Sequence, residues 1–227
     1  MAVMLIATLC LHVSGAEGQT TLYLRDSASP LGTLSASGAG LGCYNATKSY
    51  PWRQALTTSG TEVSYSFAPT STAPPCLVQT SSDFLRWISP PLASSVNLTG
   101  NYDYQGKCKE SSTSANAGFR FVVYRWSGTL GGINLTLDSS SDSTECGTSA
   151  GNKAIAAHAP ACGSICNLAV GDRIVVEVQV RNVGGSWGGN SSRTFTLYIE
   201  GVNSFAHFAQ TLSFSSDSTN ARALVFP

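Results

Sequence analysis

Residues 173–183 read RIVVEVQVRNV, and their alternation leaves little choice of local structure. Ile174, Val176, Val178 and Val180 fall on one side of an extended chain, with Arg173, Glu177, Gln179 and Arg181 on the other. Period two with β-branched residues predicts a strand with one buried and one wet face, as in an antiparallel sheet. Residues 118–126 and 194–200 repeat the pattern. Phe119, Phe121 and Val123 oppose Arg120 and Tyr124, and Phe195, Leu197 and Ile199 oppose Thr194, Thr196 and Glu200. Weaker strand signals occur at 21–25, 62–67, 84–88, 96–104, 133–138, 153–158 and 205–214, and no helical periodicity of useful length appears. About ten short strands without helices predict an all-β chain, an antiparallel β-sandwich of jelly-roll-like type. The stretches 27–42, 69–75, 139–151 and 184–192 are rich in small, polar or breaker residues and read as connections. None carries a charge run and no repeat is seen, so residues 21–227 are expected to form one domain behind an apolar leader at 1–20.

Composition narrows the function classes. Thirteen basic side chains balance thirteen acidic ones, and charged residues make up only 11% of the 227. A general nucleic-acid binder shows a basic excess, so no nucleic-acid partner is expected. Disorder requires low hydrophobicity and high net charge, which this chain lacks. Near-zero net charge gives little mutual repulsion between copies, which favours self-association.

Residues 2–13 form an apolar run, followed by Ser14, Gly15 and Ala16. The run is shorter than the roughly 20 residues of a bilayer span, so no stable membrane span is expected. It fits the apolar region of a secretory signal cut after Ala16, although no Lys or Arg precedes it. The competing expectation is a retained arm packed on a partner. Beyond Cys10 stand six cysteines, Cys43, Cys76, Cys108, Cys146, Cys162 and Cys166. An even number in a neutral Ser/Thr/Gly-rich chain points to disulfides and an oxidising, extracellular compartment. Fifteen connectivities are open. Joining chain neighbours gives Cys43–Cys76, Cys108–Cys146 and Cys162–Cys166. Asn45, Asn97, Asn134 and Asn190 begin Asn-x-Ser/Thr triplets, which are glycan acceptors only in a eukaryotic secretory context.

No catalytic constellation is legible. His12 lies in the leader, while His158 and His207 sit on predicted strands away from any nucleophile motif, and there is no Gly-x-Ser-x-Gly elbow. The acidic residues are dispersed. Asp138 and Asp142 in the run DSSSDS lack the spacing of an EF-hand calcium loop. The expectation is a chain that is not an enzyme and uses no metal or cofactor. Trp187, at the tip of the glycine-rich run GGSWGGN, is the candidate for contact with a ligand or partner, together with Trp52 and Tyr50. Trp87 and Trp126 read as core or interface residues.

Four segments carry a resemblance: TLYLRDSASP near the start, FLRWISPPLASSVNLTGNYDY at 84–104, GFRFVVYRWSGTLGG at 118–132 and GDRIVVEVQVRN at 171–182. As a set they resemble β-rich virion and phage-associated proteins of tailed bacteriophages and related metagenomic sequences. The resemblance implies an exterior structural component, such as a capsid decoration or tail-surface subunit, and supplies no catalytic residues. The apolar leader and the six cysteines depart from that pattern, and suit an extracellular filament, a sheath or a virion exposed to oxidising conditions. The expected function is a structural subunit of a virion surface or extracellular assembly. It would be stabilised by disulfides and joined to itself or to neighbouring subunits through strand edges. The alternative is a β-sandwich module that binds carbohydrate or a host surface through Trp187, Trp52 and Tyr50.

Overall fold

A computed structural model of the chain describes residues 19–24, 32–35, 49–56, 63–67, 85–127, 135–183, 193–199 and 203–215. The alternating segments become strands. In chain order they are β1 (Thr20–Leu24), β2 (Gly32–Ser35), β3 (Ser49–Leu56), β4 (Val63–Phe67), β5 (Leu85–Ile88), β6 (Val96–Asn97) and β7 (Tyr102–Glu110). There follow β8 (Ala117–Trp126), β9 (Leu135–Ser139), β10 (Gly151–His158), β11 (Asn167–Leu168), β12 (Arg173–Asn182), β13 (Phe195–Ile199) and β14 (Phe205–Phe208). One 3₁₀ turn, Gly163–Cys166, is the helical element among the described residues, and none of them forms a helix long and apolar enough to cross a membrane. The all-β, antiparallel sandwich expected from the alternation is the fold observed.

Two layers pack face to face. In the first, β7 is the hub: β10 pairs along one side, while β13 and β14 share the other, with β4 beyond β13 and β1 beyond β14. The second runs β2–β3–β5–β12–β8–β9. Strand β3 belongs to both, because Ala55 and Leu56 pair with β1 while Trp52–Gln54 lie parallel to β5. The longest ladder joins β12 to β8 over ten residue pairs, from Arg173 opposite Trp126 to Asn182 opposite Ala117. Between the layers lie Trp87, Tyr104, Phe119, Phe121, Phe195 and Phe208, all at most 1% exposed. Tyr104 of β7 stacks on Phe121 of β8 at 5.0 Å, which sets the layers in contact through aromatic faces.

Gly106 sits at the tightest point of that contact. A Cβ there would lie 2.7 Å from the ring tip of Phe119, which is itself fully buried and packed edge-on against Phe121. Gly106→Ala is expected to cost about 1–3 kcal/mol, the range for overpacking a tight core. Urea unfolding would measure it, and a midpoint equal to wild type would mean that the ring has room to move.

Three local expectations need correction. The strand expected at 96–104 is two strands, because Gly100 takes φ +77° and the chain turns between β6 and β7. Strands β2 and β3 were not anticipated at all. Most consequentially, β12 has no wet face: every residue from Arg173 to Arg181 is buried. Its second face carries Arg173, Val175, Glu177, Gln179 and Arg181, beside the equally buried Val122, Tyr124 and Trp126 of β8. The strand lies between β5 and β8 in the interior of its layer, where charged side chains are held by partners.

The chain also seals an edge of β8. Beyond β9, residues 140–146 run along β8 without forming a strand. The N–H groups of Ser140, Ser143 and Cys146 donate to the carbonyls of Phe121, Phe119 and Ala117. In return Ser140 Oγ and Ser143 Oγ accept the N–H groups of Phe121 and Phe119, and Glu110 Oε2 accepts that of Ala117. Three residues of the covering segment thus match two of the strand, and side-chain oxygens replace the missing carbonyls. An edge closed in this way cannot template a further strand.

Candidate functional site

Cys43, Cys76 and Trp187 lie outside the described residues, as do Asn45, Asn134 and Asn190. Trp52 and Tyr50 lie on β3, where Trp52 is in register with Gly32 of β2 and Arg86 of β5, and Tyr50 with Leu34. The same cross-strand row continues through Glu177 to Val122. Cys108 is bonded to Cys146 and Cys162 to Cys166, with Cα separations of 5.8 and 5.3 Å. The first bridge ties β7 of one layer to the segment that covers β8 of the other. The second closes the 3₁₀ turn.

The structure gathers polar groups that lie far apart in sequence. The Asp138 carboxylate, almost fully buried at the end of β9, accepts the phenol proton of Tyr104 from β7. His158 Nε2, from β10, lies 3.0 Å from its Oδ1 and 2.9 Å from its Oδ2. The other ring nitrogen of His158 lies 3.2 Å from the Ala156 carbonyl. Both imidazole nitrogens thus face hydrogen-bond acceptors, the Asp138 carboxylate and the Ala156 carbonyl. The cluster links β9 of one layer to β7 and β10 of the other. Burial, and then the Asp138 charge, push the Tyr102 and Tyr104 phenols above their ordinary range. Both hydroxyls thus stay protonated, and that of Tyr104 remains a donor to Asp138.

A second cluster lies on the covered face of β12. Asp142 Oδ1 accepts from Arg120 Nε and Arg181 Nε, each at 2.9 Å. Gln179 Nε2 donates to Glu177 Oε1 at 2.8 Å. Glu177 is fully buried, and desolvation holds its carboxyl up at about 8 despite that hydrogen bond. Burial and the neighbouring Arg120 also weaken the hold of Arg181 on its proton. Asp138 and Asp142, weighed from the sequence as calcium oxygens, are thus engaged by Tyr104 with His158 and by the two arginines.

Of these groups, sequence reasoning singled out only Asp138, Asp142 and the histidines, and paired none of them. Glu177 carried no signal of its burial, since an acid alternating with Val176 and Val178 is what a strand with one wet face shows. Tyr104, Asp138 and His158 had none, because three strands converge on that point.

No family model and no curated protein matches the chain. Among solved structures it is similar to an aminopeptidase from the marine sediment archaeon Thaumarchaeota archaeon, at 11% identity and a TM-score of 0.49, over 85% of this chain and 36% of that one. A CocE/NonD family hydrolase from Staphylococcus aureus follows at 10% identity and 0.44, with the same coverages of 85% and 36%. The VP2 subviral particle of infectious bursal disease virus is similar at 10% identity and 0.27, over 70% of this chain and 43% of that one. The chain thus spans about a third of the length of the two hydrolases. At these scores none of the three assigns an activity to it. One expectation is nevertheless corrected: enzymatic function is not excluded, because chains similar to this one include an aminopeptidase and a hydrolase. The physical reason is that active sites are assembled in space, so a missing sequence motif does not rule one out.

Proposed function

We propose that the chain is a disulfide-stabilised structural subunit of an extracellular or virion-surface assembly. In this reading residues 1–20 form a leader or assembly arm, residues 21–227 form the sandwich, and copies join through sheet edges. The resemblance to virion-associated proteins of tailed bacteriophages, the balanced charge and the buried disulfide between layers support it.

The observation that carries the reading is a contrast between two edges. The edge of β8 is sealed by residues 140–146. Strand β10 is hydrogen-bonded along one side, to β7, and among the described residues no strand pairs with its other side. Its outward row, Asn152, Ala154 and Ala156, is exposed, small and uncharged. Lys153 turns the other way and acts on the buried Glu110 carboxyl. A second strand can approach such an edge without meeting charge or bulk, which is the chemistry of strand addition.

Sedimentation velocity on the oxidised full chain tests this. Wild type is expected to associate with rising concentration, and Ala154→Lys to shift the equilibrium toward monomer at unchanged thermal stability. Association unaffected by the lysine would remove β10 as the joining edge, and a wild type monomeric throughout would overturn the reading.

A further inference from the structure

We infer that the outer face of the first layer carries a binding site for a neutral, hydroxyl-rich small molecule of the size of one sugar ring, centred on Asp103 and His207. The site does not depend on the assembly reading. A pocket of about 500 Å³ opens here, lined by Gln19, Asn101, Asp103, Ala157, His207 and Ala209 together with Gly100. That volume is within the roughly 300–1,000 Å³ of small-molecule sites.

The fold explains why there is a hollow. Thr21, His207 and Asp103 occupy one cross-strand row over β1, β14 and β7. The next strand, β10, would extend the row, but its register steps from Ile155 opposite Tyr104 to His158 opposite Tyr102. Three steps along β10 there match two along β7, a bulge in which Ala156 and Ala157 oppose the single Asp103. Bulges of this kind re-aim or remove side chains beside functional sites. Methyl groups stand where a larger side chain would fill the space.

The rim is held in place. Gln210 Nε2 donates to the Thr99 carbonyl and lies 3.1 Å from Thr99 Oγ1, which fastens the turn before β7 to the end of β14. At Gly100 a Cβ would come within 2.8 Å of the Ala209 methyl, so the two walls touch. Asn101 and Gln19 are exposed at the mouth.

The lining selects the ligand. The Asp103 side chain is 46% exposed, but its Oδ1 is buried 3.7 Å from His207 Nδ1 with no hydrogen-bond partner among the described residues, so its exposure lies in the rest of the side chain. A carboxylate accepts hydroxyl protons, and the carboxamides of Asn101 and Gln19 both donate and accept, as sugar hydroxyls do. No Lys or Arg among the described residues lines the pocket to draw an anion. Among the described residues no three His, Cys, Asp or Glu side chains are grouped to hold a metal ion. With no aromatic platform among the described residues and an open mouth, affinity is expected to be weak, about millimolar.

The test is ¹H–¹⁵N chemical-shift titration of the oxidised full chain with glucose, galactose, mannose and N-acetylglucosamine, and separately with calcium chloride. Saturable shifts confined to the amides of residues 100–103, 157 and 207–209 are expected with at least one sugar. Asp103→Asn should weaken that binding about tenfold or more, the size of a charge-assisted hydrogen bond, at unchanged spectral dispersion. Ala157→Phe, which fills the hollow, should abolish it. No saturable shift at these amides with any of the four sugars would overturn the inference. So would shifts produced by calcium alone, or binding indifferent to both substitutions. Sugar binding by a chain that stays monomeric would support this site and count against the assembly reading alone.

Discussion

A Cys108→Ala, Cys146→Ala double variant is expected to lose about 4 kcal/mol of stability relative to the oxidised chain. The bridge spans 38 residues. Cross-linking a loop of that length removes about 4 kcal/mol of chain entropy from the unfolded ensemble. The native state supplies a second reason. Both cysteines are fully buried, and Cys146 anchors the last hydrogen bond of the segment that seals β8, from its N–H to the Ala117 carbonyl. Without the bridge, residues 140–146 are free to peel away, and the Phe119 and Phe121 N–H groups lose their serine acceptors. The Cys162–Cys166 bridge closes a loop with a separation of only four residues, so its removal is expected to cost about half as much. Guanidinium unfolding of both variants under non-reducing conditions measures the difference. Equal losses would mean that the connection between layers adds nothing beyond a local staple.

Replacing Glu177 with glutamine is expected to stabilise the protein above neutral pH. The folded-state carboxyl is held up at about 8 by burial, against 4.5 in the unfolded chain. The folded state therefore binds the extra proton, and the cost of Glu177 is absent below pH 4.5. It grows as pH rises from 4.5 to about 8 and is complete above that. The span corresponds to about 3–5 kcal/mol at most. Glu177→Gln keeps the shape and a hydrogen bond to Gln179 while removing the buried charge. At pH 9 its melting temperature should exceed that of wild type by roughly 6–12 °C, the shift expected for about 3 kcal/mol in a chain of this size. At pH 4 the two should melt together. A gain that does not change with pH would show that the folded and unfolded chains bind the Glu177 proton equally, and so that burial does not shift its carboxyl.

Strands β8, β12 and β13 were legible because large β-branched and aromatic residues alternate with polar ones, and that alternation is the physical signal of a sheet. Strand β7 alternates as cleanly in the structure, yet its inward positions include Gly106, Cys108 and Glu110, so hydrophobicity does not mark them. Strand β3 contains Pro51, which reads as a strand breaker, but it lies near the start of the strand, opposite Thr33 of the short β2. The covered second face of β12 was misread for a different reason. Arg173, Glu177 and Arg181 look solvated in sequence, and only the fold supplies the Asp142 carboxylate, the Gln179 amide and the Trp126 ring that accompany them. Convergence explains the rest. The row of Thr21, His207 and Asp103 unites residues as much as 186 positions apart, and its hollow depends on a one-residue bulge in β10. Local spacing records neither.

The measurement that bears most directly on the central claim is electron cryo-microscopy of particles from the native source. The account predicts ordered copies of this sandwich on a capsid, tail, sheath or filament, with β10 of each copy paired to a strand of its neighbour. A chain recovered only as a dispersed monomer, or an ordered array in which β10 faces solvent, would contradict it.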